Sequence, residues 1–127
     1  MVLAWQPDQP LRVIRCHRFV APSLARILAA IRRLYPADTA LRAAGLHLYG
    51  GCYAHRFVRG SHTSLSLHAY GAAIDLDPDH NPMGCPASAA AMPPPVVALF
   101  EAEGWAWGGR FTRPDPMHFE ATARRLP

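Results

Sequence analysis

The chain predicts an α+β domain, a small antiparallel sheet with helices on its N-terminal side, from three observations. Apolar residues recur at three- and four-residue spacing in the first third. Short β-rich segments follow residue 45, and breaks rich in Gly and Pro separate them. Helices first and strands later favour antiparallel pairing over repeated parallel crossovers. At 127 residues the chain is expected to form one domain over 1–127, with one modest core and no internal repeat.

Residues 1–21 read as irregular or strand-like, with Leu11, Val13 and Ile14 able to start a strand. Ser23 after Pro22 is expected to cap a helix. Leu24, Ile27, Leu28, Ile31 and Leu34 form its buried stripe, and Pro36 ends it. Asp38 is expected to cap a second short helix running through Leu41 to Ala44 and closed by Gly45. Leu46-His47-Leu48-Tyr49 alternates as a strand before Gly50-Gly51, and Arg56 to Ser66 reads as a loop.

Ala72-Ala73-Ile74-Asp75-Leu76-Asp77 is expected to form a strand entered through a turn at Tyr70-Gly71. Pro78 to Pro95 reads as a long surface excursion, and Val96 to Phe100 as a helix begun by prolines and stopped by Gly104. Trp105-Ala106-Trp107 and Met117-His118-Phe119-Glu120 complete the expected strands, with a turn at Gly108-Gly109 between them.

Composition narrows the function classes. The net charge of +4 comes from arginine, since the chain has no lysine, and the charges are scattered. No basic run is interleaved with aromatics, so a nucleic-acid partner is not expected. No apolar run reaches the roughly 18 residues of a membrane span. The first residues show no charged and apolar leader pattern, so cytoplasmic synthesis without a signal peptide is the expectation. Cys16, Cys52 and Cys85 show no metal-binding spacing and read as small buried hydrophobes, with one disulfide left open. A monomer is expected.

The chemistry concentrates in the second half. His68 and Asp75 lie on one segment, Asp115 and His118 on another. Two imidazoles and two carboxylates suffice for a hydrolytic zinc site with three protein ligands, an open position and a separate base. A bend at Gly71 lets His68 fold back over the strand bearing Asp75, and Asp77 is expected on the same strand face. His118 is the best third donor. Asp115, three residues earlier and across Pro116, borders the site without needing to touch the metal, so it suits proton transfer. Arg56 is a candidate for a substrate carboxylate or the oxyanion, and Ser66 for a substrate hydrogen bond. Trp107 reads equally as a cleft wall or a core anchor. Glu120 reads as a surface charge, with a role behind a ligating histidine as the alternative, and Asp77 and Asp79 as solvated or turn-forming charges, Asp77 with the same alternative. His17, His47, His55, His62 and His80 read as ordinary histidines, His62 nearest the site.

The segment Ser66 to Asp75 resembles the SxHxxGxAxD signature of the M15 zinc peptidases, the D-alanyl-D-alanine carboxypeptidase and dipeptidase group. Trp107-Gly108-Gly109 and Asp115-Pro116-Met117-His118-Phe119-Glu120 are similar to the second half of the subgroup with phage L-alanyl-D-glutamate endolysins. Tyr53, Arg56 and Arg59-Gly60-Ser61 resemble the segment before the first zinc ligand, so the likeness spans roughly residues 45 to 122. It implies a hedgehog/DD-peptidase-like α+β fold, zinc on His68, Asp75 and His118, Asp115 as general base, and Arg56 facing substrate. The implied reaction is hydrolysis of peptidoglycan stem peptides, at a terminal D-alanine or between L-alanine and D-glutamate, after release or delivery to the wall. A zinc-containing, non-catalytic wall- or tail-associated binding module of the same fold is the alternative.

Overall fold

The computed structural model describes Ile14, residues 16–52 and residues 72–121. Helix α1 spans Ala21–Leu34 and helix α2 Asp38–Ala43, followed by β1 at Tyr49–Gly51 and β2 at Ala73–Leu76. Helix α3 at Pro94–Ala102 leads into β3 at Trp105–Trp107 and β4 at His118–Ala121. The four strands form one antiparallel sheet in the order β1-β2-β4-β3, which is the expected α+β architecture.

The sheet separates two kinds of side chain because alternate residues face opposite ways. Ile74 pairs with Phe119 and Trp107 with Phe119, which puts them on the face that the helices cover. There Phe119 stacks on Phe100 of α3 at 3.9 Å, and Phe100 meets Trp105 edge-on at 5.5 Å. Leu24, Ile27 and Ile31 of α1 join this core, each burial stabilising by about 1.5–3 kcal/mol. Asp75 pairs with His118, and Ala73 with Glu120, so the polar residues share the opposite face.

Three local expectations are corrected. Helix α1 begins two residues before Ser23 and has no side-chain cap. The Ser23 hydroxyl instead donates to Glu103 Oε1 at 2.8 Å and accepts from Trp105 Nε1 at 2.9 Å, so tertiary partners claim it. Asp38 is the first residue of α2, not its cap, and accepts from Arg32. Residues 44–47 form a turn, Leu48 makes an isolated bridge, and β1 is displaced onto Tyr49–Gly51, where Tyr49 pairs with Leu76 and Gly51 with Asp75.

Ile14 is in no strand, while Leu11 and Val13 lie outside the described residues, as does the expected loop at 56–66. Helix α1 does end before Pro36, and α3 begins at prolines and ends before Gly104 as expected. All three cysteines are free thiols. Among the described residues no helix is long and apolar enough to cross a membrane.

Candidate metal centre

Strands β2 and β4 bring together residues separated by 43 positions. His118 Nδ1 lies 3.2 Å from Asp75 Oδ1, and both side chains are buried. The other ring nitrogen, Nε2, lies 2.8 Å from Glu120 Oε1. His118 and Glu120 are two apart on one strand, so they share a face, and Glu120 reaches back to the ring. Glu120 is therefore tied to the histidine and is no free surface charge. The sequence signal for this was the period-two spacing within the last strand.

Burial opposes a charged imidazole at His118. Hydrogen bonds to Asp75 and then Glu120, with the charges of both, outweigh it and hold the ring up at about 9. Between these carboxylates the ring is fixed in orientation. With Nε2 held by Glu120, the nitrogen turned toward Asp75 is Nδ1.

A tight turn sets Asp115 before His118. Asp115 N donates to Gly108 O at 2.8 Å, and His118 N donates to Asp115 O at 3.0 Å. A Cβ on Gly108 would collide with the Asp115 carbonyl oxygen and press on His118 Cβ, so only glycine permits this approach. Pro116 O accepts from Trp107 Nε1 at 2.8 Å, which braces the same turn from the core side. The Asp115 carboxylate has its Oδ1 buried.

Several expected site residues are placed differently or are not described. Trp107 is 7% exposed and shares the core face with Phe119, opposite to His118. It is a core anchor that steadies the turn, not a cleft wall. Asp77 leaves the strand at φ +48° and does not share the contacts of Asp75. It is buried, with Oδ1 against His80 Nδ1 at 2.7 Å, so the expectation of a solvated charge is also corrected. His68, Arg56, Ser66 and the segment Tyr53 to Ser61 lie outside the described residues.

A carboxylate oxygen and an imidazole nitrogen converging from rigid strands, with a carboxylate behind the far ring nitrogen, suit a divalent transition metal such as zinc. Asp75 and His118 are the two donors that fit. Among the described residues no group of three or more candidate ligands occurs.

The fold and this pair define a small α+β domain with a carboxylate–imidazole centre on the sheet face opposite the helices. Residues 59–121 match the family model described as D-alanyl-D-alanine carboxypeptidase, which supports placing the chain in the M15 peptidase family. The matched stretch contains the segment from Ser66 to Asp75 as well as Asp115, His118 and Glu120. Neither a curated protein nor a solved structure gives a significant match.

Proposed function

We propose that this M15 peptidase is zinc-dependent and hydrolyses stem peptides of bacterial peptidoglycan, as a D-alanyl-D-alanine carboxypeptidase or an L-alanyl-D-glutamate endopeptidase. The observation that carries the reading is the Asp75–His118 pairing, with Glu120 behind the ring, inside the family-matched stretch. In this reading His68, Asp75 and His118 hold the metal. A bound zinc ion polarises a carbonyl and lowers the pKa of water to about 7.

The remaining work belongs to the protein. Asp115 accepts the proton of the attacking water and returns it to the departing amine, a role that needs a fixed carboxylate beside the centre. Its support is the turn that ties Asp115 to Gly108 and His118. Glu120 keeps the His118 ring oriented so that Nδ1 stays on the Asp75 side. Arg56 binds a substrate carboxylate or the oxyanion, and Ser66 supplies a substrate hydrogen bond. The protein works as a monomer on wall material reached by release or delivery.

The test is digestion of purified cell wall with and without a chelator, alongside Asp115→Ala. Wild type is expected to release new amino groups, to lose this with the chelator and to regain it with zinc. Asp115→Ala is expected to bind zinc normally and turn over at least about 100-fold more slowly. Mass analysis of the fragments identifies the bond. A wild type that holds zinc yet releases nothing would instead be a binding module.

A further inference from the structure

The segment joining β3 to β4 carries one large apolar side chain that the core does not take. Trp107 and Phe119 on either side of it are buried, whereas Phe111 remains 37% exposed. Its ring stands 6.0 Å from the His118 ring, centroid to centroid, inclined at 58°. Among the described residues Phe19 and Leu34, the other exposed large apolar side chains, belong to the α1 region.

Phe111 is held in place. Its N–H donates to Gly108 O at 3.1 Å, the same oxygen that accepts from Asp115 at 2.8 Å. One carbonyl therefore sets the spacing between the aromatic residue and Asp115, and Asp115 O in turn holds His118 N. The neighbouring Arg110 is engaged elsewhere, with its guanidinium on the Glu101 carboxylate at 2.8 and 3.0 Å and over the Trp107 ring at 5.6 Å. Phe111 thus presents a ring with no hydrogen-bonding group beside the candidate metal-binding imidazole.

We propose that Phe111 is a wall of the substrate cleft that takes a small aliphatic side chain on the residue flanking the scissile bond. The inference rests on the peptidase reading given above. A phenyl ring selects by apolar surface alone. A methyl group placed against it removes water from both partners, glycine leaves the ring wet, and a charged side chain would be desolvated without a partner. One methyl group in such a contact discriminates modestly, at about tenfold in kcat/KM.

The test uses the full-length zinc-loaded protein and two synthetic peptides that differ by alanine or glycine next to the cleaved bond. Wild type is expected to favour the alanyl peptide about tenfold, chiefly through KM. Phe111→Ala is expected to bring that ratio close to one, and Phe111→Leu to keep part of it, with zinc content and melting temperature unchanged in both. If wild type cleaves and Phe111→Ala keeps the full ratio, the wall is overturned while the peptidase reading stands. If Phe111→Ala loses zinc, the ring supports His118 instead and the wall is again overturned. If wild type cleaves neither peptide while holding zinc, the peptidase reading fails and takes the wall with it.

Discussion

Asp75 and Asp77 are two residues apart, both are buried, and they do different things. Asp75 lies in regular strand, opposite His118, on the sheet face away from the helices. Asp77 lies one residue past the strand at φ +48°, in the left-handed region that non-glycine residues seldom adopt. Its backbone N–H donates to Leu48 O, its carbonyl accepts from Asn81 Nδ2 at 2.9 Å, and its carboxylate meets His80. The period-two rule that would put both carboxylates on one face holds only while the backbone stays extended. The first aspartate therefore faces His118 across the sheet, and the second ties the turn after β2 to the segment before β1.

The sharpest way to break this comparison is to neutralise each carboxylate separately without changing its shape. Asp75→Asn is expected to weaken zinc binding by more than about 100-fold and to abolish turnover, because under the proposed function it changes a metal donor itself. Asp77→Asn is expected to leave zinc stoichiometry at the wild-type value and to lower only the melting temperature. Zinc titration of the metal-stripped proteins, with circular dichroism to verify folding, reads both. Loss of zinc from Asp77→Asn equal to that from Asp75→Asn would erase the distinction.

A smaller effect is expected where Asp77 meets Gly45. Gly45 sits at φ +75°, and a Cβ there would run into the Asp77 carboxylate. Gly45→Ala therefore carries both a backbone penalty and an overlap, together about 2–4 kcal/mol of destabilisation. The double variant with Asp77→Ala removes the overlap and keeps the backbone penalty. Its loss of stability is expected to be smaller than the sum of the two single losses, which denaturant unfolding of all four proteins measures. Strict additivity would mean that the two turns do not touch as described.

Much of this arrangement was legible in the sequence, and the misses have a common cause. The stripe of α1, the buried strand around Ile74, and the proline start and glycine stop of α3 all follow from local pattern. So does the placing of Asp75, Asp115 and His118 in two short motifs. Strand β1 was misplaced because Tyr49-Gly50-Gly51 has little strand propensity of its own and is held by pairing with β2, which local periodicity cannot see. Ser23 looked like a cap because the residues that claim its hydroxyl, Glu103 and Trp105, lie about 80 positions away. Local pattern alone does not decide Trp107, and strand alternation settles it once the partner is known. Pairing with Phe119, not with His118, turns its ring to the core.

The weakest expected effect uses two histidines with opposite shifts on either side of Asp77. Burial lowers the His47 pKa, the Arg42 charge adds to this, and Asp77 offsets part of it. The hydrogen bond to Asp77, and then its charge, raise that of His80. For His47 the unfolded chain takes up its proton first as the pH falls, near the ordinary value of about 6.5. Its stabilising effect is therefore complete above that value and is lost toward the lower folded pKa. For His80 the effect is complete below about 6.5 and is lost as the pH rises through its raised folded value. Unfolding free energies between pH 5 and pH 8 for wild type, His47→Gln and His80→Gln test this, and difference curves cancel the other titrating groups. His47→Gln is expected to soften the loss of stability on acidification and His80→Gln to steepen it. Slopes of the same sign would show that Asp77 does not divide the two environments.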